Sequence, residues 1–160
     1  MKKTEIVNQI KSKLQQMLET AKKGKATAHS DMIEAEGAMQ SRYSTFKEES
    51  EVLTQSLSQH TTSIQNMLFA LQGFNFTDSE SVDVKIGVGS VVYIYYVREG
   101  VEEIYILLPG SGGISVETDM GVVTAISPDS PLGQKLIGNM SGVKLMVGPK
   151  QREVEIVNIY

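Results

Sequence analysis

The strongest constraint on this chain is where its glycines and prolines fall. Residues 1–72 hold two glycines, Gly24 and Gly37, and no proline; residues 73–160 hold the other 12 glycines and all 4 prolines. Helix punctuation is nearly absent from the first part and dense in the second. The chain therefore divides near Gly73. The expected organisation is a helical region over 1–73, a linker over 74–80 (within GFNFTDSE) and a β-rich domain over 81–160.

The helical region has a period. Leu53, Leu57, His60, Ile64, Met67 and Leu71 alternate by four and three residues, which places one seam along a helix that packs on another. Continued backwards, the seam reaches Phe46 and Tyr43. A less regular seam runs through Ile6, Ile10, Leu14, Met17, Ala21 and Ala28. A first helix beginning near Thr4 and a second ending near Leu71 have their midpoint at Gly37, a residue that tolerates a chain reversal. The expectation is an antiparallel helical hairpin with arms of roughly 30 residues, each about 45 Å long. Such a hairpin has one seam to bury, so its tip must project into solvent or a partner. A single continuous helix that dimerises is the alternative. His60 is expected to be a packed, partly buried seam residue.

The second part reads as short strands. VVYIYYVRE (91–99) and VEEIYILLP (101–109) flank Gly100, a hairpin signal. GISVET, GVVTAI, GVKLMVG and REVEIVNIY follow, each bounded by turn residues. Between GVVTAI and GVKLMVG lies SPDSPLGQKLIGN, with Ser130 as N-cap, Pro131 as first helical residue, Leu132, Leu136 and Ile137 as apolar face and Gly138 just past the end. One short helix on a mostly antiparallel sheet of five or six strands makes the class α+β.

Composition narrows the chemistry. There is no cysteine, which removes disulfides, thiol nucleophiles and Cys-ligated metals. His29 and His60 are too few for a histidine metal site. The glycine-rich stretches at Gly87–Gly89 and Gly110–Gly113 are followed by no GKS/T and read as turns. No Ser/His/Asp triad can be argued. The eight methionines read as core filling. The chain shows no apolar run long enough to cross a bilayer, and MKKTEIVNQIKSKL lacks the apolar core of a secretory signal, so a cytoplasmic protein is expected. The formal charge of −4 conceals +1 over residues 1–75 and −5 over 76–160, so any nucleic-acid contact is local.

Taken together, the long hairpin, the segment SPDSPLGQKLIG and the closing EVEIVNI resemble the Gre-type transcript-cleavage factors, which bind bacterial RNA polymerase. RYST at 42–45 resembles a KYDT segment just past the tip in a divergent branch of that family. The resemblance implies a C-terminal domain of the FK506-binding-protein fold and a hairpin that enters the secondary channel of the polymerase. There Asp31, Glu34 and Glu36, close to the turn at Gly37, would act as tip carboxylates, with Glu34 and Glu36 as ligands to a Mg²⁺ shared with the polymerase site. The polymerase would then hydrolyse its own backtracked transcript, the factor being no enzyme and holding no cofactor of its own. The resemblance further implies that Lys22, Lys23, Lys25 and Arg42 contact the RNA 3′ end electrostatically, and that Asp129, Ser130 and Pro131 dock on the polymerase. No membrane partner is implied, and the expected state is a monomer. Gln40 and Ser44 stand where the divergent branch carries acids. Cleavage stimulator and channel competitor therefore both stay open. From other classes, a prolyl isomerase and a coiled-coil adaptor without polymerase contact are the competing readings.

Overall fold

A computed structural model describes residues 3–34, 43–73, 85–110 and 112–160, without the side chains of 25, 28–34 and 43–51. By its contacts the chain forms two compact units, Lys13–Phe69 and Met1–Ser12 with Ala70–Tyr160. The divide in compactness thus cuts across both helices, whereas the divide in composition falls at Gly73.

Helix α1 spans Lys3–Glu34 and α2 spans Tyr43–Gln72, 32 and 30 residues with no break. Neither contains proline, and the one glycine in the pair, Gly24, carries no neighbour within 4 Å of where a Cβ would stand. Lys13, Met17, Ala21 and Gly24 of α1 line one groove with Leu57 and His60 of α2. The helices therefore lie side by side. A helix of 30 residues is about 45 Å long, and the eight residues between α1 and α2 reach at most about 30 Å. A parallel arrangement would need the longer span, so the pair is antiparallel. The turn expected at Gly37 lies outside the described residues.

Burial along the helices is graded. Ile6, Ile10, Leu14 and Leu71 are fully buried, Ala21 is nearly so, Leu57 is partly buried and Leu53 is 52% exposed. The seam spacing is the one the sequence shows, but along the described side chains its burial fades from Leu14 and Ile64 to Leu57 and Leu53. His60, expected to be packed and partly buried, is exposed instead. It sits in the part of the seam where small residues of α1, Ala21 and Gly24, leave a groove unfilled. Phe46 and Tyr43 fall among side chains outside the description.

The six strands are β1 (Val91–Tyr96), β2 (Val101–Leu107), β3 (Ile114–Thr118), β4 (Gly121–Ile126), β5 (Lys144–Val147) and β6 (Arg152–Ile159). Their order in the sheet is β3-β4-β2-β1-β6-β5. All described pairings are antiparallel except β2 with β4. β1 lies beside β2, joined by a turn in which the Gly100 amide donates to the Tyr96 carbonyl at 2.9 Å. Period-2 alternation sends Val92, Ile94 and Tyr96 to one face, where they pack with Leu107, Val154 and Ile156. Val91, Ile104, Ile106 and Val123 are buried on the other face. VVYIYY shows little alternation in residue type, yet its burial alternates after Val91, Tyr93 and Tyr95 being half-buried on the second face.

Helix α3 (Pro131–Leu136) covers the first face through Leu136, with Leu132 at its margin. Gly138 has φ +80°, the left-handed residue that closes a helix, and its amide donates to the Ile86 carbonyl at 2.8 Å. Gly133 has no room for a side chain: a Cβ there would overlap the Ser127 carbonyl oxygen and stand 2.9 Å from that of Pro128. The methionines are not uniformly core filling, since Met140 and Met146 are 42% and 44% exposed. Both lie in short segments around α3 and the edge strand β5, where few neighbours remain to cover them.

Candidate functional site

The segment Asp129–Pro131 is built by local hydrogen bonding. Ser130 has extended backbone (φ −67°, ψ 154°) and its Oγ accepts the Gly133 amide at 3.0 Å, capping α3. The same hydroxyl donates to the Ser127 carbonyl at 2.7 Å. Pro131 follows at the first helical position, where its missing N–H costs nothing. Asp129 donates its amide to Ser127 Oγ at 3.3 Å and offers its carbonyl to Gln134 Nε2 at 3.2 Å. Its carboxylate takes no part in those bonds and is exposed, as is Pro131. The cap thus absorbs Ser130 and leaves Asp129 and Pro131 presented at the surface.

Of the basic residues, Lys22 and Lys23 are exposed on α1. Lys23 Nζ lies 3.8 Å from Glu19 Oε2, with both side chains at least 74% exposed. Such a pair is weak, about 0.3–0.5 kcal/mol, and leaves Lys23 free to exchange partners. Lys25 is placed on the α1 backbone three residues after Lys22, on the same helix face. The arms differ in charge. From Val52 to Gln72, α2 has no Asp, Glu, Lys or Arg at all; its one lysine, Lys47, lies before that stretch, with its side chain outside the description.

Asp31 and Glu34 lie one turn apart at the end of α1, Glu34 being its last residue. Their side chains, and the whole of Glu36 and Arg42, fall outside the described residues, as does Gln40. Among the described residues no group of three or more His, Cys, Asp or Glu could hold a metal ion. No described helix is long and apolar enough to cross a membrane.

The sequence reading singled out nothing at the start of β2. Yet Glu102 and Glu103 there border a cavity of about 540 Å³ together with Tyr93 and Tyr105. The available signal was two successive acids opening a strand that is otherwise apolar and aromatic.

No family model matches the sequence, and no curated protein sequence matches it. Solved structures do. Gfh1, the GreA factor homolog 1 of Thermus thermophilus, is 23% identical over 94% of each chain, with a TM-score of 0.38. Gfh1 of Thermus aquaticus is 22% identical over 93% of this chain and 92% of its own, with a TM-score of 0.38. The prokaryotic transcription elongation factor GreA/GreB from Nitrosomonas europaea is 20% identical over 61% of this chain and 78% of its own, with a TM-score of 0.37. The structural neighbours are thus transcription factors of the Gfh1 and GreA/GreB kind. Likeness at this level of identity and superposition does not by itself assign a function.

Proposed function

We propose that this chain is a Gre-type regulator of transcription elongation that binds bacterial RNA polymerase in the cytoplasm. The observation that carries the reading is the pair of unbroken antiparallel arms whose described seam loses burial from Leu14 to Leu53. A hairpin whose described seam closes over Leu14 and Ile64 and opens at Leu57 and Leu53 is suited to entering a partner. The sequence resemblance supplies the partner, the polymerase secondary channel, and a C-terminal domain of the FK506-binding-protein fold. The six-stranded sheet with one capped helix is compatible with that fold.

In this reading Asp129 and Pro131 dock the sheet unit on the polymerase, held in place by the Ser130 cap. Lys22, Lys23 and Lys25 attract the phosphates of the displaced RNA 3′ end without reading its bases. Asp31 and Glu34, one turn apart, together with Glu36, bring carboxylate oxygens to the polymerase centre. Mg²⁺ needs few carboxylates and keeps its waters, and a second such ion there would stabilise attacking and leaving oxygens. Hydrolysis belongs to the polymerase; the factor contributes ligands and position. A second reading is favoured by Gln40 and Ser44, which stand where acids are expected: the hairpin enters the channel as a competitor and does not stimulate cleavage.

The test uses a reconstituted, backtracked elongation complex with Mg²⁺. The expected result is faster RNA 3′-end shortening with the wild-type protein, lost with Glu34→Ala and Glu36→Ala. Unchanged or slower cleavage with displacement of a genuine stimulator selects the competitor. No effect and no displacement rejects the polymerase reading and leaves the coiled-coil adaptor.

A further inference from the structure

The sheet has a fork. β2 pairs with β1 from Val101 onward, but with β4 only from Ile104, opposite Val123. Among the described residues, 101–103 of β2 therefore have one strand edge with no ladder partner. Facing them, β4 and the turn before it diverge at Met120, Gly121 and Val122, and the cavity of about 540 Å³ lies in the gap.

The walls of the fork are set before anything enters it. Tyr93 stacks edge-on against Tyr160 with ring centroids 5.5 Å apart, and its hydroxyl donates to Met120 Sδ at 2.9 Å. The Tyr105 hydroxyl donates to Glu103 Oε2, and lies 3.2 Å from the Tyr96 hydroxyl. Burial raises Tyr93 and Tyr105 above the ordinary tyrosine range, with nearby Glu102 and Glu103 pushing the same way. Both phenols thus stay protonated, as donors beside negative charge.

Among the described residues Glu102 and Glu103 enter no ion pair, while Arg152 stands 4.7 Å over the ring of Tyr96 and pairs with Glu99. The lining of the fork contains two carboxylates and no cationic side chain. The ion pairs described in the sheet unit, Lys144 with Glu155 and Arg152 with Glu99, leave Glu102 and Glu103 out. Residues 76–160 carry a formal −5, so the field around the gap attracts cations. Consecutive strand residues point to opposite faces, so Glu102 and Glu103 flank the gap from two sides and do not converge on one small ion. That arrangement suits a planar guanidinium, which has five donors in a rigid fork and stacks on aromatic rings. The open edge at 101–103 offers backbone groups to an incoming main chain.

We propose that this fork receives an arginine side chain carried on a basic, extended segment of a protein partner. The site stands on its own residues, whether or not the chain binds polymerase.

The test is amide-shift titration of the isotopically labelled full chain with the peptide acetyl-Gly-Gly-Arg-Gly-Gly-amide. Two controls are the same peptide with citrulline for arginine, and Mg²⁺ alone. Saturable shifts confined to Val101–Tyr105 and Met120–Thr124 are expected, with the citrulline peptide about tenfold weaker or more. Glu102→Gln and Glu103→Gln should each weaken the arginine peptide about fivefold or more. Both side chains are exposed, so unchanged shifts elsewhere will show that the variants are folded. Equal binding of the citrulline peptide, the same shifts with Mg²⁺ alone, or no saturation by ~10 mM peptide would overturn the proposal.

Discussion

The two regions of this molecule solve the same problem in opposite ways. The helical unit satisfies its backbone internally, turn by turn, and needs tertiary contact only along a seam. It can afford to let that seam fade, from fully buried Leu14 to half-exposed Leu53. The sheet unit has no such freedom. Its central strands depend on neighbours distant in sequence, β6 on β1 and β4 on β2, and a side chain at Gly133 would collide with main chain. The first region is long, repetitive and forgiving; the second is short, non-repetitive and tightly specified. Surfaces follow suit. α2 presents hydroxyl and amide side chains without a formal charge from Val52 to Gln72, whereas residues 76–160 carry a formal −5.

Substitutions can break this contrast. The largest effect should come where the seam is still closed. Leu14→Ala is expected to cost about 3 kcal/mol, by lost burial and a residual cavity, whereas Leu53→Ala on the same seam should cost under about 1 kcal/mol. Urea unfolding followed by helical circular dichroism at 222 nm will measure both. Equal costs would mean that the seam is closed to its end and that the gradient is wrong.

Next comes the close approach in α3. Gly133→Ala forces the Ser127 and Pro128 carbonyls aside and should cost about 2–3 kcal/mol, as overpacking does. The near-ultraviolet tyrosine signal reports it, since five of the six tyrosines lie in residues 93–160. The equivalent Gly24→Ala in α1 has open space at its Cβ and should stabilise its helix, by about 0.5–1 kcal/mol. A loss there as well would erase the distinction between the regions.

The smallest effect near neutrality, and a sharper one in alkali, concerns the phenols. Tyr93, Tyr96 and Tyr105 are held above the ordinary value of 10.0, chiefly by burial. The folded sheet unit keeps protons that the unfolded chain gives up. Its stability contribution is therefore complete below about pH 10 and is lost as pH rises through the folded values. The urea midpoint should stay flat from pH 7 to 9 and fall above 10, less steeply in Tyr105→Phe. An identical fall in that variant would remove Tyr105 from the account.

Much of the fold was legible because its signals are local. The missing punctuation before Gly73, the strand boundaries at glycines and the Ser130-Pro131 helix start each depend on a few neighbouring residues. Gly138 at the end of α3 was readable for the same reason. What could not be read depends on contacts across the chain. His60 keeps seam spacing, but whether it is covered depends on the size of the residues opposite, Ala21 and Gly24. Met140 and Met146 are apolar, yet their exposure is decided by an edge strand with nothing beyond it. The fork at Glu102 and Glu103 exists because β4 joins β2 three residues late, and no pattern within either strand announces that register. Ser130 and Pro131 start α3 as the sequence suggests, while Asp31, Glu34 and Lys25 rest on sequence and helix position alone, and Glu36 and Arg42 on sequence alone.

The strand order also bears on how the chain is made. β6 inserts between β1 and β5, and Val91 exchanges both backbone hydrogen bonds with Tyr160, each at 2.8 Å. A ribosome delivers β1 to β4 well before β6. Throughout that interval the edge of β1, lined by Val92, Ile94 and Tyr96, has no strand beside it. An open apolar edge is a template for pairing with other chains. The vulnerable period of this protein is thus set by translation, through the roughly 55 residues from Tyr96 to Arg152, which at 5–20 residues per second is several seconds. Slowing synthesis within that stretch lengthens the exposure of a strand that the finished molecule buries at the centre of its sheet.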